Sequence, residues 1–138
     1  MAKAKVTRDI EAGAHEVWEV VADFGNMGWM EGPEKIESIG EGIGQVRRIH
    51  LGGMDPIEEV LEALDHAART LQYSIPKNAV IPFDNYLATV VVSGDEKSSQ
   101  VEWSCELDEG DLSAADAEAM MVGAYNSLID ALEKQVVN

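Results

Sequence analysis

The sequence predicts an α+β fold in which an antiparallel sheet of successive hairpins is closed by one long C-terminal helix. Two observations carry that prediction. Through the middle of the chain, segments of alternating apolar and polar residues follow one another, joined by short turn-like connections with no helical stretch between them. From Ser113 onward the apolar spacing changes from two to three and four residues and stays so to near the C-terminus. A chain of 138 residues is expected to form one domain, 1–138, large enough to bury most of its apolar surface.

The elements follow in order. Residues 3–11 alternate and read as a first strand. Ala14 to Ala22 carries Val17, Trp18, Val20 and Val21 at helical spacing, and Asp23-Phe24-Gly25-Asn26 breaks that helix. Met27 to Met30 is expected to form a second short helix, ended by Gly32-Pro33. Strands are expected near 34–41, 44–51, 57–65, 69–77, 82–93 and 99–108. The clearest alternation places Val101, Trp103, Cys105 and Leu107 on one face, with Glu102, Ser104 and Glu106 on the other. Ser113 is a good helix N-cap, and Ala117, Met120, Met121, Ala124, Leu128, Ala131 and Leu132 define the apolar stripe of the long helix.

Composition narrows the partners. Ten Lys and Arg against 26 Asp and Glu leave a formal net charge of −16, the wrong sign for nucleic acid or an anionic membrane surface. The plainest use of the acidity is solubility. A single cysteine, Cys105, rules out an internal disulfide and fits a reducing compartment. Met1 to Thr7 lacks the apolar core of a signal peptide, and no apolar run is long enough to span a bilayer, so a cytoplasmic location is expected.

The most informative residues are Arg47 and Glu59. Alternation puts Arg47 on the face of Ile49 and Leu51, and Glu59 on the face of Ile57 and Leu61. The Gly-Gly-Met-Asp-Pro stretch at 52–56 is a natural reversal that would pair the two strands antiparallel. Two readings are open. Charges kept on an inner face at a desolvation cost mark a binding or reaction cavity. Alternatively, Glu58, Glu59 and Glu62 form a solvated acidic edge that Arg47 answers.

Other motifs carry less. Gly40-Glu41-Gly42-Ile43-Gly44 has no helix after it and the wrong spacing for a nucleotide loop. No metal-ligand spacing occurs, so neither metal nor other cofactor is expected. Cys105 reads as a small core residue, and His15, His50 and His66 as solvated or structural. The acidic run at 106–111 reads as a solvated loop.

The order of elements, with Val17-Trp18, Ala22-Asp23-Phe24-Gly25, Trp29, Val46-Arg47, Glu59 to Asp65, Ala68-Arg69-Thr70-Leu71, Tyr73, Asn85-Tyr86 and Val101 to Ser104, resembles the START/SRPBCC superfamily in its polyketide cyclase/dehydrase-like branch. Birch-pollen-allergen-like proteins and plant abscisic acid receptors share that scaffold. The resemblance implies a helix-grip fold, a curved antiparallel sheet wrapped around the long C-terminal helix, with two short helices after the first strand. It implies an apolar cavity into which Arg47, Glu59 and Tyr86 look, with the 52–56 hairpin and the 77–82 loop at its mouth. Its walls would be Trp29, Met30, Ile49, Leu61, Leu71, Tyr73, Tyr86, Val90, Trp103, Met120 and Ala124. Such walls suit a hydrophobic, aromatic or polyketide-like ligand. Arg47 would orient a carboxylate, carbonyl or enolate oxygen, with Glu59 and Tyr86 hydrogen-bonding at the other end.

As an enzyme the chain would be a cyclase or dehydratase in which Glu59 moves a proton, Arg47 stabilises an enolate and Tyr86 acts as acid. An Arg beside Glu59, however, favours a carboxylate that is ionised and weakly basic. Binding is therefore the first expectation and catalysis the alternative. A third class, an interaction module with a filled core, stays open. The sequence departs from relatives at Ala14, where proline is frequent, and at Val60, where Arg is frequent. The 77–82 loop lacks the basic and histidine latch of the hormone receptors. A homodimer through the mouth loops would follow some relatives.

Overall fold

A computed structural model of the chain describes residues 1–30, 32–78 and 80–137. Its elements are β1 (Ala2–Ile10), α1 (Ala14–Ala22), β2 (Lys35–Ile39), β3 (Val46–His50), β4 (Ile57–Asp65), β5 (Thr70–Ile75), β6 (Asp84–Gly94), β7 (Ser99–Asp108) and α2 (Ala114–Val136). Among the described residues the strands form one antiparallel sheet in the order β1-β7-β6-β5-β4-β3-β2. Consecutive strands from β2 to β7 pair as hairpins, and β1 closes against β7 from Ala2↔Leu107 to Ile10↔Ser99. This is the helix-grip arrangement, with α2 held against the inner face of a curved sheet.

Alternation decides which face is inner. On β7, Val101, Trp103, Cys105 and Leu107 are all buried. Their partners on β6 include Ala88, Val90 and Val92, also buried. The β6–β7 turn depends on Gly94, whose φ of +126° is a conformation that side chains rarely adopt. A Cβ there would also stand 2.4 Å from the Ser98 carbonyl oxygen, so the turn admits only glycine without rearrangement.

α2 begins where the sequence expects. The Ser113 hydroxyl accepts a hydrogen bond from the Asp116 backbone N–H at 3.0 Å, satisfying one orphan donor of the first turn. Ser113→Ala is expected to lower stability by about 1 kcal/mol, read from urea unfolding midpoints at constant slope. Along the helix Ala117, Met121, Tyr125, Ile129 and Leu132 face the sheet. Arg8 on β1 ties the helix down, bonding Asp130 and donating to the Asn126 side-chain oxygen at 2.8 Å.

Three expectations are corrected. Met27 to Met30 forms turns rather than a helix, for the stretch is too short to nucleate one and has Gly28 inside it. Met120 and Ala124 are exposed, because the stripe runs at four-residue spacing through Met121 and Tyr125. Leu51 lies beyond the end of β3 and is exposed rather than sharing Arg47's inner face. Strand ends shift slightly: Pro82 and Phe83, for example, precede β6. Ala79, within the expected mouth loop at 77–82, lies outside the described residues.

Candidate functional site

The inner face carries a charge pair and a ring cluster. Arg47 on β3 and Glu59 on β4 are direct cross-strand partners. Arg47 Nε donates to Glu59 Oε1 at 2.6 Å, and the two side chains are only 6% and 12% exposed. Glu58 and Glu62 point to the other face, where Glu58 pairs with Arg48 and Glu62 accepts from the Ser74 hydroxyl. The solvated-edge reading therefore fails for Glu59.

Arg47 is engaged on several sides. Nη1 donates to the Phe24 carbonyl at 3.2 Å, and the guanidinium carbon lies 4.0 Å from the Phe24 ring centroid and 4.9 Å from that of Tyr73. Cation–π attraction and a nearby carboxylate together hold the charge in place with little field left over. The Asp-Phe-Gly break after α1 positions Phe24 for this role; nothing in the local sequence announces the contact.

Beyond the ion pair the face is aromatic. Tyr73 contacts Phe24, Tyr86 and Trp103, with ring centroids 6.1 to 6.5 Å apart. Phe83 stacks on Tyr86 at 5.8 Å, and Trp103 lies 5.8 Å from Tyr125. All three tyrosines of the chain are thus in one buried cluster.

Their polar ends meet as well. Trp103 Nε1–H donates to the Tyr73 hydroxyl at 3.1 Å. The Tyr86 and Tyr125 hydroxyls are hydrogen-bonded to each other, and Tyr125 also contacts the Cys105 thiol. Burial is the first cause that pushes all three phenols above the ordinary tyrosine value, and the nearby Glu59 charge adds to it at Tyr73 and Tyr86. They are neutral hydroxyls across the working pH range. Cys105 is a free, buried thiol whose pKa burial also raises, as its core reading expects.

Backbone irregularity delivers Tyr86. Asn85 sits at φ 54°, and the β6–β7 register shifts between Asp84 and Leu87. That bulge inserts one residue and turns the Tyr86 ring inward while Asn85 donates to Asp108 at 2.6 Å. Tyr86 also borders a surface cleft of about 350 Å³ between the end of β5 and the start of β6.

Of the expected wall residues, Leu61, Leu71, Tyr73, Tyr86, Val90 and Trp103 join the cluster, and Ile49 is buried beside Arg47's strand position. Trp29 is half-buried against the core and lines a separate cleft beside the C-terminal end of α2. Met30 lines another cleft, with Pro33 and Lys35. Met120 and Ala124 face away from the site, as described above. The residues that sequence reading missed are Phe24, Phe83 and Tyr125. Four-residue spacing from Ala117 and Met121 was the available signal for Tyr125.

The histidines stand outside this cluster. His66 Nδ1 accepts from Trp18 Nε1–H at 3.1 Å, His50 pairs with Glu37 at 2.5 Å and His15 with Glu19 at 2.9 Å. Among the described residues no group of His, Cys, Asp and Glu is placed to hold a metal ion, and no helix is long and apolar enough to cross a membrane.

Solved structures extend the picture. The protein XoxI from Bacillus cereus is 28% identical, with a TM-score of 0.86 over 100% of this chain and 97% of its own. Norcoclaurine synthase from Thalictrum flavum, solved with dopamine and hydroxybenzaldehyde, is 18% identical with a TM-score of 0.77 over 98% and 86%. Ara h 8.0201 is 14% identical with a TM-score of 0.79 over 98% and 97%. The last two show the shared fold alone. No curated protein sequence matches the chain. Residues 1–137 match the family described as polyketide cyclase/dehydrase and lipid transport, and the chain belongs to that family.

Proposed function

We propose that the chain binds a hydrophobic small molecule, aromatic or polyketide-like, between the inner face of the sheet and α2. The observation that carries this is the concentration of buried polar groups in an aromatic surround. The Arg47–Glu59 pair and three tyrosine hydroxyls lie among Phe24, Phe83 and Trp103 on one face. A core serving stability alone gains little from such an ion pair, which apolar residues of like volume replace without loss. A handful of placed polar groups in an apolar, aromatic lining is the chemistry of a ligand site. The complex of norcoclaurine synthase with dopamine and hydroxybenzaldehyde supports the ligand class, since that protein of the same fold takes small phenolic aromatics. Cys105, free and buried, supports a reducing, cytoplasmic setting.

Cyclase or dehydratase activity at the same face is the second reading. Family membership and the shared face of Glu59 and Tyr86 favour it. It ranks second because the Glu59 carboxylate is already engaged by a hydrogen bond from Arg47.

The test is thermal unfolding together with Trp103 emission, titrated with flavonoids, hydroxybenzaldehydes, polyketide mimics and fatty acids. A ligand at 100 times its Kd is expected to add about 2.7 kcal/mol of stability. Its quenching of emission is expected to shrink in Trp103→Phe. No stabilisation by any of these classes would overturn the binding reading. Turnover of a bound compound that is abolished in a folded Glu59→Gln variant would place catalysis first.

A further inference from the structure

We propose that the Tyr86–Tyr125 hydroxyl pair recognises an uncharged oxygen, a ketone, aldehyde, ester or un-ionised phenol, and that this site discriminates against carboxylates. The inference rests on the binding function proposed above and assigns its ligand class.

The first argument is the state of Arg47, the buried guanidinium of the inner face among the described residues. Arg47 is bonded to Glu59 at 2.6 Å and to the Phe24 carbonyl, and it lies against two aromatic rings. A ligand carboxylate brought to Arg47 would meet Glu59 as well. Attraction and repulsion at nearly equal distance cancel, while the carboxylate still has to be stripped of water. A carboxylate therefore finds no uncompensated positive charge there. At the cleft bordered by Tyr86, the exposed Lys77 is accompanied by Asp84, so that entrance carries no clear excess of positive charge either.

The second argument is the unmet capacity of the hydroxyls. Tyr86 and Tyr125 bond to each other; the other partner of Tyr86 is the Tyr73 hydroxyl and that of Tyr125 the thiol of Cys105. Sulfur is a weak acceptor, so in the donor order that runs from Tyr73 through Tyr86 to Tyr125 the last O–H ends on sulfur in a buried, low-dielectric place. A carbonyl or phenol oxygen inserted at the pair exchanges a weak O–H···S contact for an O–H···O bond. Both phenols remain neutral donors because burial opposes their ionisation. Neutral donors of this kind suit a neutral oxygen, whereas an anion needs compensating charge to leave water.

The third argument is access. Tyr86 is both a member of the hydroxyl pair and a wall of the cleft between Ser74–Lys77 and Asp84–Asn85. The cleft thus reaches the residue that carries one of the two hydroxyls, and Tyr86 itself is buried.

The experiment compares matched neutral and ionised ligands by isothermal titration at pH 7.5: methyl cinnamate, cinnamate and the oxygen-free trans-stilbene. Wild type, Tyr86→Phe and Tyr125→Phe are each tested, with folding checked by thermal unfolding. The ester is expected to bind wild type at least tenfold more tightly than the acid. Each Tyr→Phe change is expected to weaken the ester about three- to tenfold, the range of one hydrogen bond, and to leave stilbene unchanged. Acid binding as tight as the ester overturns the assignment of ligand charge. Equal weakening of ester and stilbene reduces the tyrosines to packing and overturns the recognition role. Failure of all three ligands to bind wild type overturns both this inference and the binding function beneath it, whereas the other two negative outcomes leave that function standing.

Discussion

Glu59→Leu is expected to lower unfolding stability by about 3–5 kcal/mol, whereas Arg47→Met/Glu59→Leu is expected to return close to wild type. In the single variant a guanidinium only 6% exposed loses the carboxylate bonded to it at 2.6 Å. An unpaired charge then remains in a place that water reaches poorly, and the neighbouring Phe24 and Tyr73 rings offset only about 2 kcal/mol of that cost. The paired variant removes both charges. Its apolar side chains gain by burial, a gain of 1–4 kcal/mol in comparable replacements, and they lose the cation–π contacts and the bond to the Phe24 carbonyl. Those terms are of similar size and opposite sign. Urea unfolding of wild type, both single variants and the double variant measures the coupling directly. A Glu59→Leu loss below about 0.5 kcal/mol would show the pair to be solvated, and with it the case for a polar site at this position would fall.

That result bears on function because the pair is retained where stability alone gives little reason to keep it. An isolated buried ion pair is at best neutral for folding. Here it does two further things. It fixes the Phe24 loop to the sheet through a carbonyl bond, and it sets a negative neighbour that helps hold Tyr73 and Tyr86 in their neutral state. Burial is the first cause that keeps the hydroxyls as donors, and the carboxylate that spends the guanidinium's charge adds to it at Tyr73 and Tyr86.

The strands were readable in advance because their side-chain period is two and the inner face is continuously apolar. Val101, Trp103, Cys105 and Leu107 leave one register open, since a shift by a single residue would bury Glu102, Ser104 and Glu106 instead. The same rule, with the glycine-rich reversal, put Arg47 and Glu59 among apolar residues but left a solvated edge open, and the resemblance decided for the inner face. Phe24 was not readable as part of the site. Its contact with Arg47 spans 23 residues and depends on how a loop folds over the sheet. The short second helix failed for a local reason: four residues with a glycine among them cannot repay nucleation. Tyr86 was readable as an inner residue only through resemblance, because the bulge at Asn85 interrupts the alternation that would otherwise place it.

Helix α2 gave an ambiguous sequence signal, and its correct phase makes the second large prediction. Met120 and Met121 are equally apolar, and Ala124 beside Tyr125 offers no contrast, so composition alone allows two stripes about one residue apart. The structure selects Ala117, Met121, Tyr125, Ile129 and Leu132, with Ile129 and Leu132 fully buried. Met121→Ala and Ile129→Ala are each expected to cost about 2–5 kcal/mol in urea unfolding. Met120→Ala and Ala124→Ser, on the outer side, are expected to stay within about 0.5 kcal/mol of wild type. The reverse ranking would mean a helix turned by about 100°, one residue's rotation. Such a turn would carry Tyr125 away from Tyr86 and Trp103, break the hydroxyl pair and leave the ligand-class assignment without its structural basis. Agreement at all four positions fixes the helix phase on which the pairing of the Tyr86 and Tyr125 hydroxyls depends.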